Sequence, residues 1–214
     1  MTVDRIKDIR NILKKTYPKV VTQLDHQTPF QLLVATILSA QCTDKQVNSV
    51  TPKLFATLNT PKEFMEAPIT LIESLIKPTG FFHNKAKNIK NCAEKLVSDY
   101  DSVVPDTLEE LIKLPGVGRK TANCVLGAAF DIPGIVVDTH VARISGRLGL
   151  TKYKDPVKIE FDLMSVIPKE EWSDFSLILV YFGRDKCKAR KPECKECPIE
   201  HLCGSADKTY SSQK

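Results

Sequence analysis

Residues 107–122 read Thr107-Leu108-Glu109-Glu110-Leu111-Ile112-Lys113-Leu114-Pro115-Gly116-Val117-Gly118-Arg119-Lys120-Thr121-Ala122. Thr107 and Glu110 have the spacing of a capping box, so a helix is expected to start there. Gly116 can take the left-handed conformation that stops it, and Gly118 lets the backbone turn tightly before Arg119 opens a second helix. The expectation is therefore helix, hairpin, helix. Amides of such a turn and of the next helix N-terminus point outward together, and with the helix dipole they form an anion site that fits a DNA phosphate. A bare Pro-Gly-x-Gly is more often an ordinary helix-to-helix turn. The full Leu114-Pro115-Gly116-Val117-Gly118 with Lys120 behind it favours the phosphate. That contact would be blind to base sequence.

Lys120 falls in the first turn of the second helix, where the positive dipole end and Arg119 both disfavour an ammonium ion. A partly neutral amine is the nucleophile needed to attack a sugar C1′ and form a Schiff base. From this segment alone, a plain phosphate-binding lysine is the simpler role. Asp138 follows apolar Ile135-Val136-Val137 and precedes a helical stretch with Val141, Ile144 and Leu148, so its simplest role is an N-cap. A cap carboxylate that faces Lys120 can also stabilise an oxocarbenium-like sugar and help proton transfers. His140 reads as a structural hydrogen-bonding residue.

Outward from these segments, apolar residues recur at helical spacing, as in Ile6, Ile9, Leu13 and in Leu108, Leu111, Ile112, and no alternating strand pattern stands out. Prolines at 29, 52, 61, 68, 78, 105, 115, 133, 156 and 168 punctuate the chain into short segments. The fold class is thus all-α, with many short helices. Pro133-Gly134 marks a crossing between two lobes, and the polar tail after Gly204 is expected to fray.

The charge balance, 31 Lys plus Arg against 26 Asp plus Glu, gives +5, which suits a polyanion partner without requiring one. The first residues lack the apolar core of a secretory signal, and no apolar run approaches a membrane span, so an intracellular protein with no membrane partner is expected. Of seven cysteines, Cys187, Cys194, Cys197 and Cys203 form C-x6-C-x2-C-x5-C. In a reducing compartment that crowding points to a metal site, and spacing alone leaves zinc and a [4Fe–4S] cluster both open. Lys188, Arg190 and Lys191 lie between the first two thiols, so a stiffened loop there could hold a phosphate at little entropy cost.

Taken together, the Leu114–Lys120 hairpin, Val137-Asp138-Thr139-His140-Val141 and the four cysteines resemble the endonuclease III family of the helix-hairpin-helix DNA glycosylase superfamily. Leu38-Ser39-Ala40-Gln41, Thr43-Asp44, Thr79-Gly80-Phe81-Phe82, Lys85-Ala86 and Arg143 match further family segments, and the resemblance spans nearly the whole chain. It implies a two-lobed fold: a six-helix barrel lobe at residues 22–132 and a cluster lobe formed by 1–21 and 133–214. The cleft between the lobes would hold Lys120 and Asp138.

The resemblance also implies a [4Fe–4S] cluster on the four cysteines and a bifunctional glycosylase/AP lyase that excises oxidised pyrimidines from duplex DNA. Gln41 would fill the gap left by the extruded nucleotide, and the Thr79–Phe82 loop, with Phe81, would wedge the opposite strand. Gly116, Gly118, Arg119, Arg143, Lys188, Arg190 and Lys191 would join them in contacting DNA. The expected assembly is a monomer on double-stranded DNA with damaged bases or abasic sites, in the cytoplasm and at the nucleoid of a prokaryote. Cys42 stands where many members have Ala, and Phe81 where Leu is common, which makes the wedge bulkier. Adenine and mismatch-thymine glycosylases of the superfamily usually lack the lysine at position 120, and a non-catalytic DNA-damage binder would need neither Lys120 nor Asp138.

Overall fold

The computed structural model describes residues 3–209. Eleven α-helices are formed among them: α1 (Val3–Thr16), α2 (Pro29–Leu38), α3 (Asp44–Thr57), α4 (Pro61–Glu66), α5 (Ile69–Ile76), α6 (Phe82–Asp99), α7 (Leu108–Leu111), α8 (Arg119–Ala129), α9 (Thr139–Arg147), α10 (Pro156–Val166) and α11 (Trp172–Asp185). Short 3₁₀ turns complete the pattern, and no strand is present among the described residues. The all-α expectation holds. No described helix is long and apolar enough to cross a membrane.

Helix starts follow local chemistry. Thr28 and Asp155 cap α2 and α10 through side-chain oxygens, each with proline at the first helical position, where its missing N–H costs nothing. Thr60 and Glu63 make a full capping box at α4. Pro52 departs from its expected role as a breaker, because it lies inside α3. An interior proline costs about 3 kcal/mol. The Thr43 cap and the buried face of Val47, Val50, Thr51 and Leu54 offset it.

The chain divides into two compact units, Thr22–Ile132 and Met1–Val21 with Pro133–Lys214. At the centre of the first is α2, buried at every position from Phe30 to Leu38 and packed by α3, α6 and α8, as expected of a helix apolar on all sides. Phe30 meets Phe64 edge-on at 5.4 Å. In the second unit Ile6, Ile9 and Leu13 of α1 share a core with Val141 and Ile144 of α9 and Phe175, Leu179 and Phe182 of α11.

The tail departs from the expected fraying as far as Thr209. Asp207 pairs with Arg147 at 2.7 Å, Lys208 with Glu200 at 2.7 Å, and the Thr209 N–H donates to Cys194 Sγ at 3.4 Å. The remainder of that tail, 210–214, lies outside the described residues.

Candidate active site and nucleic-acid interface

The decisive stretch forms the hairpin. Thr107 caps α7 by accepting from the Glu110 N–H, but the Glu110 carboxylate does not return to Thr107. It binds the Tyr100 hydroxyl at 2.8 Å and Lys113 at 2.6 Å instead, so only half the expected capping box exists. Leu114 and Val117 are buried and peg the hairpin to the core. Gly116 has φ +78, and a Cβ there would lie 2.8 Å from Asn88 Cβ. Gly118 has an ordinary extended conformation, φ −94, with nothing within 4 Å of an added Cβ. The expected tight turn therefore rests on Gly116, and Gly118 contributes open space.

No side-chain cap hydrogen bond is made at Gly118, the N-cap of α8, which is exposed. Lys120 is exposed on that first turn. One turn on, burial pushes the Cys124 thiol up, while the Thr36 hydroxyl and the Lys120 ammonium pull it the other way.

Two further tips belong to the same unit. Gln41, exposed, has φ +53, and Phe81, 65% exposed, has φ +48. Such values are uncommon outside glycine and cost about 1–3 kcal/mol each, so the surroundings must hold them. Gly80, at φ 68 and ψ 158, occupies a region essentially reserved for glycine and swings the chain outward before Phe81.

The other unit carries Asp138, whose Oδ1 accepts from the Val141 N–H at 2.8 Å and so caps α9, as its position suggested. His140 has the structural role expected of it. Its Nδ1 lies 3.2 Å from Arg143 Nη2, and burial, foremost, lowers its pKa, with Asp138 opposing. Arg143 is half-buried and turns part of its guanidinium inward. Its Nη2 donates to Cys187 O at 2.9 Å and Gly183 O at 3.3 Å, and its Nε is buried without a partner.

Cys187, Cys194, Cys197 and Cys203 line one cavity with Leu148, Phe182 and Ile199. The thiols share it without closing on one centre: among the described residues no group of three or more His, Cys, Asp or Glu takes up metal-ligating geometry. The basic loop between Cys187 and Cys194 is less basic than its composition. Lys188 is paired with Glu193, and Lys186 with Glu193 and Glu196, which leaves Arg190 and Lys191 exposed as its outward charges.

Arg147 escaped the sequence reading and organises this loop. Its guanidinium reaches Asp207 Oδ2 at 2.7 Å, Lys188 O at 2.7 Å, Ala189 O at 3.2 Å and Cys187 Sγ at 3.3 Å. The available signal was its spacing, one turn after Arg143 on α9.

Residues 34–169 match the HhH-GPD superfamily of base excision DNA repair proteins. The chain is 55% identical to endonuclease III of Synechocystis sp. over 94% of its own length and 93% of the relative's. The chain belongs to the endonuclease III family. Against endonuclease III of Bacillus subtilis the identity is 47%, covering 90% and 88% of the two chains. A solved trapped endonuclease III–DNA covalent intermediate superimposes with a TM-score of 0.91 at 44% identity, covering 95% of this chain and 96% of that one. The endonuclease III family comprises DNA glycosylases with AP lyase activity, acting in base excision repair.

Proposed function

We propose that this chain removes oxidised pyrimidines from damaged duplex DNA through a Schiff base at Lys120 and then cleaves 3′ to the abasic site. The carrying observation is Lys120, exposed on the first turn of an uncapped helix directly behind the Gly116 hairpin. The relative captured as a covalent intermediate with DNA at 44% identity supports a protein nucleophile. The Lys120 amine attacks C1′, and the base departs with the glycosidic electron pair. Nζ then forms an iminium with C1′ as the sugar ring opens. Loss of a C2′ proton expels the 3′ phosphate by β-elimination, and water releases the amine. The Asp138 carboxylate stabilises positive charge developing at the sugar and relays protons.

In this reading residues 22–132 form the barrel domain bearing the hairpin, and 1–21 with 133–214 form the cluster domain. Gln41 and Phe81 enter the duplex. The hairpin amides, Gly116, Gly118, Arg119, Arg143, Lys188, Arg190 and Lys191 meet the DNA backbone. Nucleoid DNA in the cytoplasm is the place of action.

The donor set fits a [4Fe–4S] cluster: four thiols on one apolar-walled cavity, with N–H donors from Arg147 and Thr209 aimed at Cys187 and Cys194 sulfurs. Cys187, Cys194, Cys197 and Cys203 would hold it. When bound it supplies a redox-capable centre that ties the loop together. Protein prepared without oxygen should absorb broadly near ~400 nm; stoichiometric zinc in a colourless protein would refute the cluster.

Borohydride added during reaction with a thymine glycol duplex should trap a covalent adduct. Lys120→Gln should abolish it with DNA affinity nearly intact, because the anion site uses backbone amides. Normal trapping by that variant would reject Lys120 as the nucleophile.

A further inference from the structure

Lys85 stands in the first turn of α6 yet is only 4% exposed. Its Nζ donates to Thr79 O at 2.8 Å, and its backbone N–H donates to Phe81 O at 3.1 Å. The two bonds straddle Gly80 and the left-handed Phe81, gripping that tip from both ends. Thr79 is itself fixed, 3% exposed with its hydroxyl donating to Ile76 O at 2.8 Å. Burial holds the Lys85 ammonium below its ordinary range, and the Cys42 thiol lies close enough to oppose this electrostatically. The buried cation thus lies beneath the strained Phe81 tip.

A buried lysine is costly, and an apolar residue would fill the volume more cheaply. What the ammonium adds is a charge-assisted bond to the one carbonyl from which the Gly80-Phe81 turn departs. Without it, the Thr79–Gly80 peptide can rotate, and the strained Phe81 backbone can relax toward ordinary φ values.

We propose that Lys85 is a positioning residue for nucleotide extrusion. It fixes how Phe81 is presented to the duplex, while leaving the Lys120 chemistry and general DNA affinity to other groups. This rests on the reading of Phe81 as an inserting side chain.

The test uses the full-length protein and a duplex with 2-aminopurine next to thymine glycol, whose fluorescence rises on unstacking. Lys85→Met, close in length and uncharged, should reduce both that rise and the single-turnover excision rate at least tenfold. Affinity for undamaged duplex should stay within about twofold of the parent value, as expected where phosphates dominate binding. Lys85→Gln, which keeps an N–H donor on a shorter stem, replaces the Met variant should that one not fold, with the same pattern expected. Because Lys85 acts through Phe81, adding Lys85→Met to Phe81→Ala should lower excision no further than Phe81→Ala alone.

Full extrusion by the Lys85 variant alongside loss in Phe81→Ala overturns the inference, as does an additive double variant. Full extrusion by Phe81→Ala instead overturns the underlying reading of the tip.

Discussion

Replacing Gly116 and Gly118 separately by alanine separates what the hairpin needs to fold from what it needs to bind. At Gly116 two costs add. An L-residue at φ +78 pays about 1–2 kcal/mol for the left-handed backbone. The new Cβ also meets Asn88 Cβ at 2.8 Å, an atom fixed to the backbone of α6 that no rotamer change can withdraw. Overpacking of this kind costs about 1–3 kcal/mol. Gly116→Ala should therefore lose roughly 2–5 kcal/mol, a fall in Tm of roughly 5–15 °C for a chain of this size.

Gly118 adopts φ −94 with open space around it, so Gly118→Ala should change stability by less than about 1 kcal/mol, the scale of an N-cap preference. Yet its methyl group would occupy the space that a phosphate must enter, and affinity for duplex DNA should drop about tenfold, or about 1.4 kcal/mol. Urea denaturation and fluorescence anisotropy on the same preparations read both quantities. A Gly116→Ala protein as stable as the parent would refute the steric argument. Unchanged DNA binding by Gly118→Ala would refute the anion site.

Three other outcomes follow from the geometry. Asp138→Asn keeps an oxygen for the Val141 N–H and should retain fold and DNA binding while losing most of the excision rate, whereas Asp138→Ala should also lose about 1 kcal/mol of stability; equal activity in Asn and parent proteins would remove the carboxylate from the chemistry. His140 is held below its ordinary pKa mainly by burial, so the unfolded chain binds its proton more readily than the fold does. Stability from this residue is complete above the unfolded value of about 6.5 and declines as pH falls through 6.5 toward the lower folded value. Denaturation at pH 7.5 and 5.5 should show a smaller drop in His140→Gln than in the parent, and an identical drop would exclude His140 as the cause. Lys191→Ala and Arg190→Ala should each flatten the log–log salt dependence of DNA binding by about 0.9. Lys188→Ala should flatten it less, since Glu193 already offsets that charge, and equal slopes for all three would contradict the pairing.

What was legible in the sequence was local. The turn at Gly116, the caps at Thr107 and Asp138 and the cysteine spacing depend on neighbours within a few positions, and each has one inexpensive conformational solution. What escaped depends on partners far along the chain. Arg147 gains its role from carbonyls about 40 residues away, and Lys85 from a turn whose strain no residue type advertises. Arg143 matched a family segment, but sequence cannot reveal that the Cys187 and Gly183 carbonyls converge on it. Pro52 and Glu110 mark the opposite failure, in which a sound local rule yields to tertiary packing or to a better partner such as Tyr100.

The packing of α1 against α11 also sets an order of events on the ribosome. Arg5 bonds Leu202 O across 197 residues, so the first helix is made long before its partners in this unit. At roughly 5–20 residues per second, Ile6, Ile9 and Leu13 wait roughly 8–35 s for Phe175, Leu179 and Phe182 of their shared core. Meanwhile Thr22–Ile132 is complete and free to fold around α2. The nascent chain thus carries a finished module behind an uncovered amphipathic helix, a species suited to chaperone capture, and one whose lifetime shortens when codons after Ile132 are translated faster.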